Sequence, residues 1–534
     1  MAAAYFSLCI GIVEVATDTM PPQISRRQFV KASGLLAVWA ALAACQPRNL
    51  LNGPGSTATP APGGPTATPA PTTATGTPAA EATGDDLLAH VLRRLTFGAT
   101  PDMVDHARSL GVEAWLDEQL HPEHIDDSQI SPLLAPLTTL SMTPAERFSL
   151  SNQALPGQEI ILATVLRQIN SNRQLFEMVV DFWSNHFNID LSKDTCRILK
   201  TDDDLQVIRP NALGKFGDLL SASAHSPAML VYLDQAVSNK NVPNENYARE
   251  LMELHTISTA ALFGPPDVVG LARAFTGWTV VGAKGQGGAP GSYIFRLGLH
   301  DDGEKDLLGL HLPAGQGEAD GQQVLTFLSQ SPFTATFIST KLARRFVVDD
   351  PPASLVKNLA ATFTSSGGDI TAMLQALFAS SEFRSSAGLK FKRPLEFFVS
   401  TLRLMGAQLS GPPNALAGRL RQLGQVPFQW LMPNGYPDVS AYWATTDGLL
   451  NRWNFGMALA NNSLPGAKVE LAALTRDAAS AADVVDLLAT RLTGAALPDD
   501  ARAILVDFAS SGDLGKNLAP VAGLILGSPH FQVR

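Results

Sequence analysis

Asn244-Glu245-Asn246-Tyr247-Ala248-Arg249-Glu250-Leu251-Met252-Glu253-Leu254-His255 is the stretch on which the reading of this chain turns. It contains no helix breaker and repeats apolar residues at helical spacing. At about 100° per residue, Tyr247, Leu251 and Leu254 gather on one side and Glu245, Asn246, Arg249 and Glu253 on the other. Glu250 falls at the border, and His255 falls near Leu251 and Ala248. Two readings fit. One is a buried polar site using Glu250 and Glu253. The other is a solvated face, self-paired through the i, i+4 ladder Glu245–Arg249–Glu253, beside a core histidine. Helical metal ligands usually pair at i, i+3 or i, i+4. Glu250 and Glu253 match neither spacing to His255.

Composition sets bounds on the rest of the chain. It has 534 residues, 45% apolar and 16% charged, with a net charge of -10. That is enough apolar content for a large core, and no basic block argues for a nucleic-acid partner. Cys9, Cys45 and Cys196 are too few for a disulfide framework or a Cys-rich zinc site.

The front of the chain reads as an address. Ser25-Arg26-Arg27-Gln28-Phe29-Val30-Lys31 matches a twin-arginine export signal through Arg26 and Arg27. The apolar run Ala32 to Ala44 has signal-peptide length and is too short to span a bilayer. Leu42-Ala43-Ala44-Cys45 looks like a bacterial lipobox, which makes Cys45 the expected lipidation site. Residues 1–19 either precede a true start at Met20 or extend the signal. Residues 46–84, mostly Pro, Thr, Ala and Gly, cannot bury a core and read as a disordered tether. At about 3.1 Å per residue its mostly Gly/Pro/Ala/Thr/Ser part, Asn52 to Gly84, reaches up to roughly 100 Å. The expected organisation is thus a signal with lipobox over 1–45, a tether over 46–84 and a folded body over 85–534. The expected location is the outer face of the cytoplasmic membrane or the periplasm, with the membrane itself as a partner through the lipid.

The body reads as mainly α. Helices are expected over His90 to Gly98, from Pro101, over Val112 to Leu120, as one long helix from Ile160 to Phe187, and in succession over 320–404. Glu118 and His121 form a lone Glu-x-x-His at a helix end, where a cap is the expectation. Trp278 to Val281 and Tyr293 to Leu297 read as one small β-hairpin. His186 lies on an aromatic helix face with Phe182 and Trp183, as a core histidine or as a ligand or base in an apolar pocket. His300-Asp301-Asp302-Gly303-Glu304-Lys305 is either a turn capped by Asp301 or part of a polar pocket with His186. Phe363 to Phe383 and Phe508 to Phe531 each read helix, Gly turn, helix, closing aromatic, which suggests a duplicated helical hairpin. Gln425 to Pro437 is a Pro/Gly/Trp-rich loop, a lid or binding edge or a packing strap.

Several of these motifs, in order, carry a resemblance. Arg93-Arg94-Leu-Thr-Phe97-Gly98, Phe182-Trp183-Ser-Asn185-His186-Phe187, Pro227 to Asp234, Asn244 to Leu251, Ala272 to Trp278, His300 to Lys305 and Ser528 to Arg534 look like the bacterial family known as domain of unknown function 1800. The likeness covers about residues 86–534 and implies an exported, mostly helical protein. It brings no established activity. It implies as a partner a second exported protein with an alkaline-phosphatase-like fold. After His255 the chain departs from the family's glycine-rich turn, and Thr256 to Pro266 stands instead.

No phosphate-cradling loop, Gly-x-Ser-x-Gly or His-Glu-x-x-His occurs. Two functions remain open. The first is an enzyme or cofactor-binding protein with catalytic His186, Glu250, Arg249, His300, Asp301 and Lys305, or a divalent metal on His186, Glu250 and His300. The second is a lipid-tethered assembly or binding protein whose polar motifs are structural.

Overall fold

Trp115, Trp183 and Trp278 are fully buried, and the helices that carry or cover them define the core. A computed structural model describes residues 83–534 apart from 411–412, with the side chains of 413–415 also left out. The expected export signal, Cys45 and the expected tether, apart from residues 83–84, lie outside the described residues. The body is mainly α, as expected. Among the described residues no helix is long and apolar enough to cross a membrane.

Local chemistry corrects the expected long helix. It is two helices, Leu155–Asn170 and Gln174–His186. The break comes from side chains that outcompete the helical ladder. Asp127 takes hydrogen bonds from Ser171 Oγ at 2.8 Å and Asn172 N at 2.7 Å. Gln174 Nε2 then donates to the carbonyls of Gln168 and Ser171, at 3.1 and 2.8 Å.

The Asn244 to His255 stretch differs too. It is α-helical only over Glu245–Glu250 and continues as a π-helix over Leu251–His255. The wider turn rotates the side chains beyond Glu250 relative to an α-helical wheel. Met252 is buried, whereas Leu254, assigned to the apolar side, is only half-buried. Thr256 Oγ1 closes the turn on the Leu251 carbonyl at 2.7 Å. A second π segment, Asp203–Ile208, lies beneath the helix bearing Trp183.

The expected β-hairpin is present, with Trp278 opposite Phe295 and Val280 opposite Tyr293. It is not the sole sheet element: Lys305–Leu307 pairs with Leu310–Leu312, and Gln408–Leu409 with Ala467–Lys468. These strands are too short to carry a period-two signal. Both halves of the expected duplication fold alike. Ala353–Ser366 packs on Ile370–Ala379, and Asp499–Ser510 packs on Leu514–Gly527. Each hairpin closes on a short helix whose aromatic, Phe383 or Phe531, is fully buried.

The first and last family-like motifs meet. Arg94 is fully buried and donates to the carbonyls of Phe346, Val347, Ser386 and Arg534. Arg534 returns a bond to the Arg94 carbonyl at 2.9 Å. Arg345, Arg393 and Arg534 converge on the buried carboxylate of Glu396, and Arg345 and Arg393 also hold Asp181. Burial alone would raise the Glu396 carboxyl, but the three guanidiniums outweigh it and hold it well below the usual range.

Candidate functional site

The residues singled out from sequence fall into three separate environments. Arg249 is exposed and faces Glu253 at 3.7 Å, the self-paired ladder. Glu250 is half-buried. Burial raises its pKa, the neighbouring charge of Glu253 adds to the rise, and Arg249 opposes it.

His300 and Lys305 are buried with Asp320. His300 Nδ1 donates to the Thr276 carbonyl at 2.8 Å, and its Nε2 faces Asp320 Oδ2 at 3.1 Å. Lys305 Nζ reaches the same oxygen at 2.6 Å and the Gly303 carbonyl at 2.7 Å. Asp301 instead turns to Arg273, bidentate at 2.7 and 3.1 Å, and also accepts from Gly303 N. The hydrogen bonds from Arg273 depress its pKa. This run is therefore the capped turn, not a pocket shared with His186.

His186 ends its helix inside a shell of Phe182, Trp183, Phe187, Phe216 and Phe337. Its Nε2 donates to the His255 carbonyl at 3.1 Å, leaving Nδ1 to accept from Lys341 Nζ at 2.8 Å. Among the described residues no carboxylate hydrogen-bonds to His186 or Lys341, although the charge of Asp438 opposes the drop in pKa at Lys341. Burial lowers the His186 pKa well below its usual value, with Lys341 and His255 adding to the drop. Burial and Lys341 take His255 down to about 3, and burial takes Lys341 down to about 8. His255 Nε2 is buried without a hydrogen-bond partner.

The residues of the expected metal set are not brought together. His186, Glu250 and His300 belong to different networks. Among the described residues no group of three or more His, Cys, Asp or Glu is placed to hold a metal ion. The imidazoles of His186 and His300 are instead each occupied by neighbours 20 or more positions away in sequence. Lys341 and Asp320 were missed. The available signal was charge on an apolar helix face: Lys341 and Arg345 share one stripe with Phe337, Ile338 and Leu342.

What the structure does open is a cleft of about 400 Å³ between the Ile130–Leu134 segment and the helices bearing Arg167, Phe176 and Arg209. Asp126, Asp127 and Glu177 face Arg167, Arg173 and Arg209 across it, a lining of balanced charge. Arg209 grips Glu177 through both oxygens and lies over the Phe176 ring at 5.1 Å. Glu177 also lines a smaller chamber of about 30 Å³. There Gln168 Oε1, Ser184 Oγ and Asp204 Oδ1 are buried without partners, in a space that suits one or two waters. The cleft residues come from segments with no shared motif, so nothing in the sequence marked them.

A mainly α body tied end to end by its terminal motifs, with these polar networks inside, is the setting for the comparison with known proteins. The chain belongs to the family described as Protein of unknown function (DUF1800), matched over residues 90–533. No curated protein and no solved structure matches it.

Proposed function

We propose that this chain is an exported, lipid-anchored helical protein of the cell envelope that works by binding rather than by catalysis. The observation that carries this reading is the dispersal of His186, Glu250 and His300 into separately bonded networks. The charged cleft is the place for a ligand. Its volume lies in the range of small-molecule sites, and its paired Arg and acidic groups suit a small polar ligand with several hydrogen-bonding groups. Arg26, Arg27 and Cys45 support export and acylation, and residues 46–84 support a tether. The membrane is one partner, and a second exported protein with an alkaline-phosphatase-like fold is the other.

The test uses the full chain purified from membranes. Mass analysis of the Cys45 peptide reads the acyl group. Denaturation and mass spectrometry read any released small molecule. Ser131→Trp, which fills the cleft from its exposed edge, should abolish the bound molecule, whereas His186→Gln should leave it. A stoichiometric metal, or a ligand lost with His186→Gln but kept with Ser131→Trp, defeats the binding reading.

A second reading has its own observation. Lys341, held near 8 beside an accepting imidazole and an unpartnered one, is arranged for proton transfer or amine chemistry. Preferential borohydride trapping of a small aldehyde at Lys341 at pH 8 would support it. Trapping no faster than at surface lysines would remove it.

A further inference from the structure

The loop Gln425 to Pro437 is a strap whose tip turns outward. Two asparagines and a tyrosine fix it from below. Asn185 Nδ2 donates to the Tyr436 carbonyl at 2.9 Å, and its Oδ1 accepts from Tyr436 N at 2.7 Å. Asn188 Nδ2 donates to the carbonyls of Trp430 and Met432, both at 2.9 Å, and Tyr232 OH donates to that of Leu431 at 2.9 Å. Three successive carbonyls at the tip are thus satisfied from inside the protein. Gly435 lets the backbone approach this closely: its φ is +72°, and a Cβ would stand 2.1 Å from the Asn185 carbonyl oxygen.

The side chains do the opposite. Leu431 is 71% exposed, Met432 58% and Tyr442 47%. Trp430 lies between Tyr436, tilted by 43°, and Tyr442, which it meets edge-on, and its Nε1 donates to Asn434 Oδ1 at 3.0 Å. Gln422 to Pro437 carries no charged side chain, and Arg419 and Arg421 lie just before it. An ordinary surface loop leaves its carbonyls to water and turns its apolar groups in. This one bonds its carbonyls internally and presents leucine, methionine and aromatic rings.

We propose that the Trp430-Leu431-Met432 tip is a membrane-interface contact that seats the tethered body on the bilayer carrying its anchor. Lipid has no groups to replace water at a peptide carbonyl, so a segment that enters it needs those bonds made in advance. Trp and Tyr favour the headgroup level, where an apolar face sinks roughly 5–10 Å. The chain preceding the body supplies the occupant: a lipobox at Cys45 and a tether with a reach of roughly 100 Å keep the tip within range of one membrane. The inference rests on the lipid-anchored reading, and its test separates the two.

The experiment uses the full chain with Met432→Cys carrying an environment-sensitive dye, and a second preparation labelled at Leu262→Cys, a site 96% exposed elsewhere. Label position and the state of Cys45 are read by mass. Both proteins are placed with phosphatidylcholine vesicles, with and without nitroxide headgroup lipid. The expected result is a blue shift at position 432 and loss of about half its emission to the nitroxide, with neither at 262. Adding Leu431→Ser should reduce the shift. If the protein floats with vesicles but 432 behaves like 262, the interface contact is wrong and the anchor stands. If Cys45 carries no acyl group yet 432 still shifts on adding vesicles, the contact stands and the anchor fails. A shift that grows with protein concentration in the absence of lipid identifies a second copy as the occupant and overturns the proposal.

Discussion

Two buried polar regions of this body lie on opposite sides of one physical rule. Around Glu396, three buried guanidiniums are paired with carboxylates: Arg345, Arg393 and Arg534 surround it, and Asp181 takes Arg345 and Arg393. Around His186 there are two imidazoles and an amine, with no carboxylate hydrogen-bonded to His186 or Lys341 among the described residues; Asp438 acts on Lys341 only through its charge. The first region stays charged because opposite charge offsets desolvation. Arg393 is raised despite its burial, by Asp181 and Glu396. The second keeps its imidazoles neutral, with His255 near 3, while Lys341, drawn down to about 8, still holds its proton at pH 7. The same helix, Pro332–Phe346, serves both, with Lys341 facing one and Arg345 the other. Burial of charge therefore marks no active centre by itself; it marks where distant segments are tied.

The sharpest way to break this comparison is Glu396→Gln. Removing the charge that three buried guanidiniums share, and leaving Arg534 without its ion pair, should remove about 3–5 kcal/mol of unfolding free energy, read by chemical denaturation. A loss under about 1 kcal/mol would mean that the network is dispensable.

Acid titration comes next. In the unfolded chain the histidines titrate near 6.5; in the fold His255 is held near 3 and His90 near 4, with His186 also depressed. The unfolded state then binds more protons, so stability should fall as pH drops from about 6.5 towards 3. Carboxylates such as Asp438, held down to about 2, add their own loss only below about 4. Thermal melts that stay flat from pH 7 to 5 would contradict the histidine contribution.

Lys341→Met separates the two regions. Asp438, the acid that acts on Lys341, keeps its ion pair with Lys390, so stability at neutral pH should change by under about 1.5 kcal/mol. It also removes the positive charge that depresses both imidazoles. The variant should lose less stability on acidification than the parent; an equal or larger loss would show that Lys341 does not act on them.

The smallest effect is expected at Arg249→Ala. The Arg249–Glu253 pair is exposed, so the change should fall within about 0.5 kcal/mol. A larger loss would give this stretch a role that its exposure does not suggest.

Much of the fold was legible. Helix spans such as Val112–Leu120, the Trp278 hairpin and the two Gly-turn hairpins arise from local periodicity and breakers. The site was less so. A wheel at fixed pitch could place His255 inward, but not foresee the π turn that brings Met252 in and leaves Leu254 half out. The break at Ser171 depended on Asp127, 44 residues earlier.

By itself, then, the sequence determined the family, the helical class and an expected address at the front of the chain, because each is written in neighbouring residues. Only the tertiary structure decided which charges meet. Lys341 reaches His186 across 155 positions, and Asn188 reaches Trp430 across 242. A hydrogen bond acts over about 3 Å of space, and no spacing along the chain encodes it.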